Sequence, residues 1–317
     1  MSASTSAAAP PFVVVVVLTW NDTEMTTRCL ESVYASRYDR FRVVVVDNGS
    51  QPPAAPVLAA RFPDLATVAL DRNTGFTGGC NRGLERALAM DAGYVVLLNN
   101  DTVLHPDAIA ELVAAMEANP RAGMASAVLL FPGPEKRIQF RQGLLRRDSA
   151  EHLHPGERET LDDGHRRVVE TEFAPAAAVC FRPAALRAVG LFDESLFTNW
   201  EDYDLCCRLA DGGWTILVAG GAEVVHEHGK TTGTVSPFIT YFATRNRLIC
   251  LFRHAPLRRI VPSLPRIVRT FYWQFRYQGA RNWRAHRAML RGFTHFLLGV
   301  RGVGSPPADR RDRIAAS

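Results

Sequence analysis

A chain of 317 residues is long enough for one large α/β domain with an appendage, and 47% hydrophobic residues is ordinary for a protein with a single buried core. No window approaches the roughly 18 uninterrupted apolar residues of a spanning helix, and the Ala/Ser-rich stretch 1–11, with no Lys or Arg ahead of the Val run, lacks the charged start of a secretory signal and reads as a disordered lead. The net charge of +5 conceals a division: from Arg245 onward sixteen Arg stand against Asp309 and Asp312, a surplus of +14 that leaves −9 on the rest, and an acidic body with a basic tail implies two jobs.

Phe12 to Leu18 is a nearly pure Val run that predicts a buried strand ending in Thr19-Trp20-Asn21-Asp22. A helical pattern with Leu30, Val33 and Tyr34 on one face follows, and then a second β-branched run, Val43 to Val46, ends in Asp47-Asn48-Gly49-Ser50. Strand, helix and strand at this spacing form a βαβ unit with polar residues at both strand ends. Pro52, Pro53 and Pro56 open a short helix, and Ala66 to Leu70 predicts a third strand.

Asn73-Thr74-Gly75-Phe76-Thr77-Gly78-Gly79-Cys80-Asn81 is a glycine-rich loop entering a helix. Such glycines either let backbone amides approach an anion at a helix N-terminus or let the helix pack tightly. Val95 to Leu98 is a short apolar run that stops at Asn99-Asn100-Asp101-Thr102. The C-terminal end of a buried parallel strand is where open α/β sheets hold ligands, so Asp101 is a candidate metal ligand as well as a candidate helix cap. A helix is predicted from Pro106 to Glu117 and a strand from Met124 to Phe131, after which the pattern dissolves over 132–170 into what reads as a flexible flap.

Order resumes with an apolar run from Phe173 to Phe181 and a short helix from Pro183 to Val189. In Asn199-Trp200-Glu201-Asp202-Tyr203-Asp204, apolar or small residues at 205, 206 and 209 share a helix face with position 202, which puts Asp202 in the first turn with Asn199 as N-cap. A carboxylate there suits a general base, although capping accounts for an acid too. His226 and His228 alternate at the end of an apolar run, where one imidazole would complete a metal site with Asp101. The six cysteines show no C-x-x-C spacing and read as small apolar residues in a reducing cytoplasm, which argues against a disulfide scaffold or a structural zinc.

This order of motifs, from Thr19-Trp20-Asn21 through Asp47-Asn48-Gly49-Ser50, the Asn73 glycine loop, Asn99-Asn100-Asp101, Phe192-Asp193-Glu194 and Trp200-Glu201-Asp202 to His226, resembles family-2 glycosyltransferases over roughly residues 12–250. The similarity is to inverting enzymes of the rhamnosyltransferase and galactofuranosyltransferase branch that build bacterial cell-wall and surface polysaccharides. It implies an α/β fold of GT-A type, a Rossmann-like nucleotide-binding domain with a mostly parallel sheet, over 12–255. It also implies a nucleoside diphosphate sugar as donor, plausibly dTDP-rhamnose with UDP-galactofuranose or another UDP-sugar as the alternative, and a glycan or lipid-linked acceptor. The remaining alternative is a non-catalytic carbohydrate- or membrane-binding protein of the same fold.

Carried onto these positions, the resemblance implies a donor site at Thr19, Asn21, Asp47, Asn73, Gly75, Asn99 and Asp101, with Asp47 bonded to the pyrimidine. Asp101 and His226 would hold a divalent metal, Mn²⁺ or Mg²⁺, with Asn99 standing where the first Asp of the family's D-x-D motif usually is. Asp202 would be the base, and Trp200, Glu201 and Asp204 would face the acceptor.

Residues 256–317 read as a basic amphipathic helical region. Leu264, Ile267, Val268, Phe271 and Phe275 recur at helical spacing among arginines, with Tyr272, Trp273 and Trp283 interleaved. The composition suits either a helix in an anionic membrane interface, peripheral on the inner face of the plasma membrane, or a helical subdomain packed on the core. A nucleic-acid partner is not expected, since no such module is present and the acidic body would repel a phosphate backbone.

Overall fold

A computed structural model of the chain describes residues 9–227, 236–277 and 282–303. The Val-rich runs become the central strands: β1 (Val13–Thr19), α1 (Thr23–Tyr34), β2 (Phe41–Asp47), α2 (Ala55–Arg61) and β3 (Ala66–Ala69), then α3 (Gly75–Leu88) and β4 (Tyr94–Asn99). Val13 through Val17 and Val95 through Leu98 are 0% exposed, as strands covered on both faces must be. There follow β5 (Thr102–Leu104), α4 (Ala108–Ala118), β6 (Ala122–Leu130), β7 (Ile138–Phe140), β8 (Leu144–Arg146), β9 (Glu151–Leu153), β10 (Val169–Thr171) and β11 (Ala178–Phe181). The chain continues with α5 (Pro183–Val189), α6 (Glu201–Asp211), β12 (Thr215–His226), α7 (Pro237–His254), α8 (Leu257–Tyr277) and α9 (Trp283–Leu297).

The large sheet runs β10-β12-β6-β11-β4-β1-β2-β3, with β5 on β12 and β7 on β6. The block β4-β1-β2-β3 is parallel, and β11 enters antiparallel between β4 and β6. Leu18 pairs with Val46 on one side and Asn99 on the other, so three strands end level and deliver their polar ends to one edge.

The glycines of α3 serve packing. A Cβ on Gly79 would lie 2.4 Å from Leu18, and one on Gly83 would lie 2.3 Å from Val16, so the helix sits closer to β1 than any larger residue allows. The stretch 132–170, without a readable period, holds β7, β8, β9 and β10. It is anchored rather than loose: Ile138 and Phe140 are buried, and Arg247 donates to the Ser149 carbonyl. The two apolar runs around Gly220-Gly221 prove to be one strand, β12, whose register with β6 shifts between Ala219 and Glu223. That bulge is closed over by neighbours, since a Cβ on Gly220 would meet the His165 carbonyl at 2.2 Å.

Candidate functional site

At the level strand ends, several predicted donor residues turn out to build the edge rather than face out of it. Thr19 is 0% exposed, and its hydroxyl is 2.6 Å from that of Thr26, which donates to the Asp22 carbonyl and accepts from Asn100 Nδ2. It is a strut between β1, α1 and the Asn99-Asn100-Asp101 turn, which corrects its assignment to the donor. Asn21, exposed and at φ 55°, receives Gln51 N–H on Oδ1 and gives its own N–H to Ser50, joining the loops after β1 and β2.

Asp47 is 2% exposed; Oδ1 accepts from Ser50 N, and Oδ2 accepts from both Ala54 N and Ala55 N. A carboxylate has about four acceptor positions, so Asp47 spends most of its capacity folding the 47–55 loop and keeps one for a ligand. Asn48, which sequence reasoning passed over, receives Thr74 N–H and O–H on Oδ1 and gives Nδ2 to Asn73 Oδ1 and the Gly75 carbonyl. Asn73 in turn accepts Gly75 N–H at 2.7 Å. Gly75 is buried at φ +80°, and a Cβ there would lie 2.4 Å from the Phe197 carbonyl. Its amide is taken and its face covered, so it allows close approach of the loop before α6 instead of bordering a nucleotide.

The metal pair is brought together by sheet pairing. The β5–β12 ladder sets His226 opposite Thr102, and Glu227 N–H reaches the Asp101 carbonyl, so His226 Nε2 lies 3.2 Å from Asp101 Oδ1. Gln139 Oε1, on β7, lies 2.7 Å from Nδ1 and so orients the ring with Nε2 toward Asp101. The two groups face each other in a nearly buried place. Asp101 Oδ1 and Asn99 Oδ1 are both buried without a hydrogen-bond donor. A carboxylate oxygen and an imidazole nitrogen held 3.2 Å apart in a nearly buried place are donor types that suit a divalent cation. His228 lies outside the described residues.

The loop into α6 is backbone held in an unusual form: Phe197, Asn199 and Trp200 have φ of 65°, 65° and 75°. Non-glycine residues adopt this region rarely, and a run of three persists only where neighbours impose it. They are imposed from α7. Asn246 Nδ2 donates to the carbonyls of Leu196, Thr198 and Asn199 at 2.8, 2.7 and 2.8 Å, and Arg245, 0% exposed, donates to those of Ser195 and Leu196. The residue preceding α6 is therefore left-handed Trp200, and Asn199 does not cap the helix.

The three acids of α6 have three different environments. Asp204 is 0% exposed and bound by Arg253, His254 and Arg208 at 2.7, 2.8 and 2.8 Å. Burial alone would raise its pKa, yet the bond from His254 and the two guanidinium charges hold it well below the usual carboxylate range. Arg253 also pairs with Asp193, so Phe192-Asp193-Glu194 and Asp204 are tied into one brace, and Asp204 is not available to an acceptor.

Glu201 is buried, with Oε2 unpartnered, and burial together with the neighbouring Asp202 charge pushes it up to about 8. Asp202 is only partly covered; burial raises it to about 6, opposed by the Tyr203 N–H on Oδ1 at 2.7 Å. Near neutral pH the pair divides into a protonated Glu201 and an ionised Asp202. Trp200 packs on Tyr203 and against His152 of β9, and Arg247 sits 5.9 Å from its ring centre. The two ends of the site are joined through the irregular segment leading into β11. Ala177 carbonyl accepts Asn99 N–H, and Ala174 carbonyl accepts Cys206 Sγ–H from α6.

Residues 14–174 match the family described as Glycosyl transferase family 2. The chain is 27% identical over 239 residues, 69% of itself and 77% of the relative, to an N-acetylglucosaminyl-diphospho-decaprenol L-rhamnosyltransferase of Mycobacterium tuberculosis. It is 24% identical, over 70% of itself and 76% of the relative, to a dTDP-rhamnosyl transferase of Shigella flexneri. Its fold is similar to that of a mannosyltransferase from Pyrobaculum calidifontis in complex with GDP-Man and Mn²⁺, with a TM-score of 0.55, 17% identity and coverage of 92% of this chain and 88% of that one.

Proposed function

This chain belongs to glycosyl transferase family 2, has the GT-A fold and is a glycosyltransferase, and we propose that it transfers rhamnose from dTDP-rhamnose, with inversion, to a glycan or lipid-linked acceptor in cell-wall or surface polysaccharide synthesis. The reaction is placed at the cytoplasmic face of the plasma membrane, against an anionic lipid surface. The observation that carries the catalytic reading is the opposition of His226 Nε2 and Asp101 Oδ1, 3.2 Å apart at the strand ends, beside a separately held carboxylate at Asp202.

Asp101 and His226, with Asn99 Oδ1 as a further oxygen, would hold the cation. When bound, a divalent ion would neutralise charge on the donor's diphosphate as it leaves. The loops at Asn21, Asp47 and Asn73 would border the nucleotide, with the remaining lone pair of Asp47 Oδ1 toward the base. Asp202, ionised and partly open, would take the proton of the acceptor hydroxyl as its oxygen attacks the anomeric carbon. Glu201, being uncharged, adds no repulsion to that ionised base and offers a hydroxyl donor to the acceptor, and Trp200 would form the acceptor wall. One base suffices for a single displacement, which inverts the anomeric carbon.

Thermal-shift measurements with nucleotide sugars and Mn²⁺ or Mg²⁺ test the donor, because a true donor stabilises the native state by mass action. Stabilisation by dTDP-rhamnose and not by UDP-sugars is the expected result. The reverse would make it a UDP-sugar transferase, and stabilisation by no nucleotide would leave a non-catalytic protein of the same fold.

A further inference from the structure

We infer that one face of α8 is the surface by which the protein lies on an anionic lipid bilayer, an assignment that rests on the membrane-surface reading and specifies its geometry. Leu257, Val261, Leu264, Val268, Tyr272 and Phe275 are 64%, 59%, 47%, 64%, 55% and 41% exposed. At about 100° per residue their spacing confines them to an arc of roughly 80°, so they form one continuous apolar stripe directed away from the protein. The adjoining side of α8 is already used. Ile260, Ile267 and Phe271 are buried, and the hydroxyls of Ser263 and Thr270 donate to Asp148 and Glu151, which flank the β8–β9 turn. The catalytic domain thus covers one face of the helix and leaves the neighbouring face, with the stripe, exposed.

Charge selects the occupant. Arg258, Arg269 and Arg276 are exposed and fall together on one flank of the stripe, and no Asp or Glu occurs anywhere between Arg245 and Ala308. A second copy docking stripe to stripe would bring like-charged rows together with no acid on these helices to offset them. A bilayer of acidic phospholipid offers an acyl layer to the stripe and phosphates to the arginines at once. No described helix is long and apolar enough to cross a membrane, so the contact is one of lying on the surface. Over the 19 residues from Leu257 to Phe275 the stripe extends about 27 Å.

The test is co-sedimentation of the full chain with phosphatidylcholine vesicles, with and without phosphatidylglycerol, over a range of salt. The wild type is expected to bind the acidic vesicles, more weakly as salt rises. The double variant Val261→Asp/Val268→Asp, made at exposed positions and checked by an unchanged Tm, should lose about tenfold or more in partitioning. Leu290→Asp on α9, exposed but outside the stripe, should lose much less. Equal binding by wild type and double variant would overturn the assignment of α8 while leaving membrane binding in place. Absence of wild-type binding would overturn both. A wild-type dimer that the double variant splits, with no vesicle binding, would show that a second copy covers the stripe.

Discussion

His226 Nε2 stands 3.2 Å from Asp101 Oδ1 because β12 pairs with β5, and Gln139 fixes which nitrogen of the ring faces the acid. At the proposed metal site, affinity would therefore depend on a residue that would not touch the metal. Gln139→Leu is expected to weaken Mn²⁺-dependent nucleotide binding by about 10–100-fold, as losses of such supporting bonds do. His226→Ala should weaken it at least as much. Titration calorimetry of the nucleotide with and without Mn²⁺ reads both; a Gln139 variant with wild-type affinity would mean the ring is oriented some other way.

Asp202 is the acid left ionised when its neighbour is not. Asp202→Asn should reduce transfer by several orders of magnitude while nucleotide binding stays close to wild type, since the amide keeps the shape but accepts no proton. In the wild type kcat/KM should fall as pH drops through about 6, where Asp202 becomes protonated. Unchanged turnover in the variant would remove Asp202 as base.

Glu201 links pH to stability. Its pKa rises from about 4.5 in the unfolded chain to about 8 in the fold, so it favours the folded state while protonated. That contribution is complete below the unfolded value and is lost as pH climbs through the folded one. Glu201→Gln, which cannot ionise, should match the wild type near pH 5 and exceed it above pH 8 by an amount on the order of a few kcal/mol. Thermal melts at the two pH values decide it, and equal Tm differences at both would show that Glu201 ionises freely.

The sequence made the parallel strands readable because strands buried on both faces must be apolar throughout, and Val13–Val17 is nothing else. It also placed Asp202 in the first turn of α6 and brought His226 to Asp101. What it hid were contacts without a period. Arg245 counted as one more charge of a basic tail, yet it is fully buried on backbone carbonyls, and Gln139 lies where no pattern is legible. Thr19 and Gly75 were assigned outward because motif position says nothing about which atoms the protein has already engaged. On α8, residues read as one face divide: Ile267 and Phe271 turn inward, and Leu264, Val268 and Phe275 outward.

The clamp from α7 connects fold and chemistry most directly. A single amide group, Asn246 Nδ2, meets three carbonyls of the loop whose left-handed residues aim Trp200 and Asp202. Replacing it by Leu deprives the Thr198 and Asn199 carbonyls of that donor, leaves Leu196 only its bonds from Arg245 and Thr198, and weakens the hold on three backbone conformations that each cost about 1–3 kcal/mol. The loop should then relax toward ordinary φ values and carry the start of α6 with it. Asn246→Leu is expected to lower stability by about 2–4 kcal/mol and, at temperatures where it remains folded, to lower kcat by about a hundredfold, the scale of a base displaced by an ångström. Nucleotide affinity, on the proposed donor site at Asp47 and Asp101, should change less than kcat. A variant that loses stability but keeps wild-type kcat would show that the clamp holds the fold without positioning the base.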